Sequence, residues 1–128
     1  MKKNLFAMPV VVALASSLPC VPAHAQAVAG IALYPGASSK GVEGSEKVLH
    51  DTGYPTAVCR HTGDSLDQVV RFYRADKQLS LLGEPTKDNA GFASKTGASM
   101  SINSPWVDMG TMKMNSGTLI CIVSKNGK

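Results

Sequence analysis

One stretch limits the possible folds more than any other: TGDSLDQVVRFYRADKQL, residues 62–79. Asp64 and Ser65 are both able to cap a helix. Asp67 and Gln68 stand three residues after them, where a capping-box partner belongs, and Asp67 also suits the positive N-terminal end. Leu66, Val69, Val70 and Tyr73 then recur at helical spacing, and Phe72 widens the stripe. Arg71, Arg74 and Lys77 lie on other faces or toward the C-terminal end. The pattern predicts a helix over residues 65–78, with one apolar face to bury.

The sequence after this helix is rich in strand signals. Residues 119–123, LICIV, form a continuous apolar run bounded by Gly117 and by Lys125-Asn126-Gly127, as a central strand would be. Before the helix, residues 56–61 alternate around Val58, with Pro55 at the start, where its missing N–H does least harm. Residues 92–95 and 98–102 flank Thr96-Gly97 and predict a hairpin, which Asn103-Ser104-Pro105 ends. Residues 79–83 lead away from the helix, residues 87–91 form a turn cluster, and residues 47–50 make a weak short strand. Ahead of these come an apolar arm at 26–33, a YPGA turn at 34–37 and a Gly-rich loop at 38–45. The expected fold is α+β, with one main helix packed on a mainly antiparallel sheet of about four to five strands.

The first 25 residues stand apart. Lys2 and Lys3 precede an apolar run from Leu5 to Leu18, and Ala23-His24-Ala25 has the small residues a signal peptidase reads. The run is short for a membrane span, and Pro19 before Cys20 argues against a lipoprotein signal. The expected organisation is a signal peptide at 1–25 and one exported domain at 26–128, periplasmic or secreted, with no membrane anchor after cleavage. Losing Lys2 and Lys3 takes the 13 basic residues to 11, against 9 acidic ones. So small an excess, with no basic run, gives no footprint for nucleic acid. Of three cysteines, Cys20 leaves with the signal. Cys59 and Cys121 remain, without C-x-x-C spacing, and an exported pair predicts a disulfide.

The YPGA turn and the helix segment TGDSLDQVVRFYR together resemble small, uncharacterised exported bacterial domains with a YPGA turn and a DS-xxx-V-xx-FY helix. The resemblance implies a fold and brings no catalytic residues. Relatives often follow the helix with a Gly-Trp pair. Here Leu81-Leu82-Gly83-Glu84 stands instead, and the only tryptophan is Trp106.

Three groups of residues are candidates for chemistry. Met109, Met112 and Met114 carry soft thioether sulfurs that could serve Cu(I). Their Gly- and Asn-rich surroundings predict instead an irregular, exposed connection, with no metal or other cofactor. Trp106 and Met109 are candidate anchors for an unknown protein or small-molecule partner. His50 and His61 could perform acid–base work in a small secreted hydrolase, with Lys47 or Arg60 stabilising charge. Asp51, Asp64 and Asp67 are more simply turn and cap residues. With no nucleophile elbow, phosphate loop or paired metal motif, binding is expected rather than catalysis.

Overall fold

The computed structural model describes residues 26–126. In chain order they form β1 (Ala27–Val28), β2 (Ile31–Ala32), α1 (Glu43–Asp51), β3 (Thr56–Thr62) and α2 (Leu66–Arg74). Then follow β4 (Leu79–Leu81), β5 (Asn89–Ser94), β6 (Ser99–Asn103), β7 (Trp106–Asp108), β8 (Lys113–Asn115) and β9 (Thr118–Ser124). A five-stranded antiparallel sheet in the order β3-β9-β6-β5-β4 is the frame, beside the small hairpins β1-β2 and β7-β8. The signal peptide expected at 1–25 lies outside the described residues.

Helix α2 begins as its sequence predicts. Gln68 N donates to Ser65 Oγ at 3.2 Å, and Ser65 N donates to Gln68 Oε1 at 2.9 Å, which closes the capping box. It ends earlier than the expected residue 78, because Asp76 turns the chain. The Asp76 carboxylate takes Gln78 N at 2.8 Å, and its carbonyl takes Leu79 N at 3.1 Å. Leu66, Val69, Val70 and Tyr73 are buried, as the stripe predicts. They pack with Ala90, Phe92, Met100, Ile102, Ile120 and Ile122 from one face of the sheet. The predicted arm at 26–33 is a hairpin that closes this core. Ile31 is fully buried, and the Tyr73 hydroxyl donates to Ala32 O at 2.7 Å.

The expectation of a single main helix is corrected. The weak strand predicted at 47–50 and the end of the predicted loop lie in α1, a second helix of the same length, 9 residues. It covers the opposite face of the sheet. Along β9 the side chains alternate, so Leu119 and Cys121 face away from Ile120 and Ile122. They form a second, smaller core with Val42, Cys59 and Trp106, and Leu49 packs against it. The turn cluster predicted at 87–91 is shortened too, since β5 begins at Asn89.

Cys59 and Cys121 are bonded. They sit directly opposite each other in the β3-β9 register, with Cα atoms 4.1 Å apart. The short separation belongs to a non-hydrogen-bonded antiparallel pair, where facing side chains come closest. Cys59 N therefore points outward from the edge strand, and Glu46 Oε2 of α1 accepts it at 2.8 Å. One position pair further on, His61 N donates to Ser38 O at 2.9 Å, and Ser38 N donates to His61 O at 2.8 Å. Helix and loop thus occupy the open edge of β3.

The hairpin β7-β8 continues the β6-β9 ribbon with a change of register. Asn103 faces Leu119 and Trp106 faces Asn115, so two residues on one side oppose three on the other. An inserted residue of this kind bends a ribbon and re-aims its side chains. Gly117 sits at the bend with φ +90°, and a Cβ there would collide with the Thr62 carbonyl. The Ser104 hydroxyl ties the other side, donating to Gly117 O at 2.6 Å. The bend brings Trp106 over the second core.

Candidate functional site

The cleft at the end of β3 is built by three segments. The Ser38–His61 bridge holds Lys40 and Gly41 beside the strand. His61 is the next-to-last residue of β3, and its ring meets Trp106 at 5.1 Å between centroids, tilted by 33°. The bent hairpin adds Trp106, Asp108 and Asn115, with Ser116 behind them. Trp106, Asp108 and Asn115 share one hairpin face, because Trp106 pairs with Asn115 and Asp108 lies two residues on. Together these residues line a space of about 280 Å³.

Asp108 is fixed by its own loop. Its Oδ1 accepts Gly110 N at 2.8 Å and Thr111 N at 3.2 Å, and its carbonyl accepts Met112 N at 2.6 Å. Oδ2 is left facing Gly41, 3.3 Å from where a Cβ would stand. Gly41 has φ +79°, so a side chain there would be strained as well as close to the carboxylate. Gly44 is tighter still: a Cβ would lie 2.9 Å from Gly110 N and Met109 Cβ. The first turn of α1 therefore rests directly on the hairpin loop.

Most polar groups around this cleft are not used to hold the fold. Among the described residues, the side chains of Lys40, His61, Asn115 and Ser116 and the Oδ2 of Asp108 make no hydrogen bond within the chain. Trp106 is 5 % exposed, and its Nε1 is the one buried side-chain polar atom among the described residues without a partner. Native proteins rarely leave such a donor unpaired.

The structure separates the two histidines. His50 lies in the last turn of α1, exposed, with Nδ1 2.9 Å from Tyr54 O. His61 lies at the far end of β3, and five strand steps from Thr56 span about 17 Å. Helix and strand run antiparallel, so the two imidazoles sit at opposite ends of the unit and only His61 lines the cleft. Lys47 pairs with Asp51 at 2.7 Å on the helix surface, and Arg60 lies 3.6 Å from Glu46. His61, Asp108 and Ser116 do share the cleft, but no hydrogen bond joins any two of them.

Asp64 works as a fold residue. It accepts the Tyr34 hydroxyl at 2.6 Å, and its carbonyl accepts the Thr118 hydroxyl at 2.6 Å. Tyr34 also meets Phe72 edge to face at 5.2 Å. The YPGA turn and the DS-xxx-V-xx-FY helix therefore touch in space. Burial first, then the bond to Asp64 and that carboxylate's charge, push the Tyr34 hydroxyl up to about 12. Burial pushes Tyr73 higher still, with Tyr34 and Asp76 adding to it.

The methionine segment is more ordered than the predicted irregular connection, because β7 and β8 pair across it. Its side chains are exposed, at 40 % for Met109, 69 % for Met112 and 64 % for Met114. Met112 has φ +60° at the turn, and Met114 pairs with Val107 on the hairpin face opposite Trp106. Of the two candidate anchors, Met109 is partly exposed and Trp106 belongs to the second core. Lys40, Asp108, Asn115 and Ser116 were not singled out by the sequence. The Asp-x-Gly-Thr run at 108–111 was the available signal, since Asp favours a turn that accepts its own following amides.

No family model, curated protein or solved structure matches the chain. No helix among the described residues is long and apolar enough to cross a membrane.

Proposed function

We propose that this chain is a small exported binding domain and that the cleft between Gly41, His61 and the β7-β8 hairpin is its recognition site. One observation carries the reading: polar side chains with no hydrogen bond to another described residue converge on one concavity beside a His–Trp ring pair. A few directed polar groups around ring surface are the usual make-up of a small-molecule site. Export is supported by the signal-like layout of the first 25 residues and by the disulfide, which suits an oxidising compartment. Binding is favoured over hydrolysis because His61 has neither a bonded nucleophile nor a bonded carboxylate to orient it.

Amide and indole NMR spectra of the mature protein, recorded against a pooled library of small polar metabolites, test the site. Saturable shifts clustering on Lys40, His61, Trp106, Asp108 and Asn115 are expected. Shifts clustering elsewhere, such as the groove lined by Arg71, Arg74 and Pro85, would overturn the assignment. Mass analysis of the secreted form is expected to place its first residue at Gln26.

A further inference from the structure

We infer that the cleft takes a neutral, hydroxyl-rich ligand, a single sugar ring or the terminal sugar of a glycan. The inference rests on the preceding assignment of the cleft and adds the chemical class. Charge is the first reason. Lys40 brings a cation, but the Asp108 carboxylate lines the same space and cannot swing away, because Gly110 N and Thr111 N hold its Oδ1. A phosphate or carboxylate entering the cleft would meet that fixed like charge. A simple cation would meet Lys40.

Hydrogen-bonding capacity is the second reason. Asp108 Oδ2 only accepts and Lys40 Nζ only donates, while the Asn115 amide and the Ser116 hydroxyl do both. A ring carrying several hydroxyls matches such a set, since each hydroxyl donates one bond and accepts others. The third reason is surface. The half-buried His61 ring, backed by the buried Trp106, gives the cleft a ring surface, which suits the C–H face of a sugar. At about 280 Å³, the cleft is near the small end of ligand sites and fits one ring rather than a chain of them.

The single tryptophan makes the test direct, because the protein has one indole Nε1–H resonance. The mature protein would be titrated with free hexoses and N-acetylhexosamines, and separately with glycine, acetate and inorganic phosphate. At least one sugar is expected to shift the Trp106 indole and the His61 and Asn115 amides saturably, and the charged probes are not. Asn115→Ala should weaken that sugar at least about fivefold, the effect of one lost hydrogen bond. Lys113→Ala, outside the cleft, should leave it unchanged and controls for general effects on the hairpin. Saturable shifts of the same signals by the charged probes alone would sink the sugar class and leave the cleft as a binding site. Silence of these signals toward every sugar would likewise overturn the sugar class, while the assignment of the cleft is decided separately by the pooled library.

Discussion

The two faces of the sheet are built by different means. Under α2, an apolar stripe meets Phe92, Met100, Ile102, Ile120 and Ile122, and the N-terminal hairpin adds Ile31. Under α1 the apolar cluster is smaller, built on Val42, Trp106, Leu119 and the two bonded cysteines. Polar ties complete that face: Glu46 on Cys59 N, the Ser38–His61 bridge and the Asp108 turn. The α2 face is held by area and packing. The α1 face is held by a covalent staple and a few directed hydrogen bonds, and it leaves room for a cleft.

The largest expected effect comes from the staple. Changing Cys59 and Cys121 together to Ala removes a link that closes a separation of 62 residues, a loss of roughly 4 kcal/mol in the chain-entropy account. Denaturant unfolding measures it. An unchanged midpoint would mean that the small core holds without its disulfide, and the contrast between the faces would weaken. On the other face, Val69→Ala should cost about 2 kcal/mol, because Val69 is fully buried beneath α2. A midpoint equal to wild type would show that this face is not held by packing.

A smaller effect is expected at the edge of β3. Glu46→Ala strips the acceptor from Cys59 N and should cost about 1 kcal/mol. Glu46→Gln keeps an acceptor oxygen and should recover most of the loss. If the two variants unfold alike, the ion pair with Arg60 matters more than the cap on the strand edge.

Alkaline pH separates the faces differently, because Tyr34 and Tyr73 both lie on the α2 side. Unfolded tyrosine loses its proton near 10.0, while Tyr34 holds its proton to about 12 and Tyr73 beyond that. Above pH 10 the unfolded chain releases protons that the folded chain keeps, so stability falls as pH rises. The contribution is complete below that point and is lost progressively toward pH 12. Unfolding midpoints between pH 8 and 11.5 should decline, and Tyr34→Phe should flatten part of the decline. A parallel decline in that variant would place the effect elsewhere.

The same contrast explains what could be read from the sequence. The α2 face was legible because its signals agree: a capping box, a helical stripe and a central apolar strand all point to one packing. The α1 face was not. Val42, Ser45 and Leu49 form its inward side, but the serine interrupts the stripe, and the N-cap is Val42 with no side-chain cap. Without a cap residue or an apolar period, residues 47–50 resemble a short strand as much as a helix turn. The cysteine pair was readable from the expected export signal and the even count left after it, whereas its cross-strand register was not. Trp106 was noticed as a possible surface anchor, but its burial depends on a one-residue change of register between Asn103 and Trp106 that no periodicity reveals. The cleft residues come from three separate segments, and only the fold brings them together.

Native-state hydrogen exchange tests the division of the two faces most directly. Amides of α1 and of the β7-β8 hairpin should exchange through an opening of lower free energy than that governing α2, β5 and β6, with the disulfide intact. Exchange of α1 and the hairpin at the same free energy as the α2 core would contradict the account, since the two faces would then open as one unit.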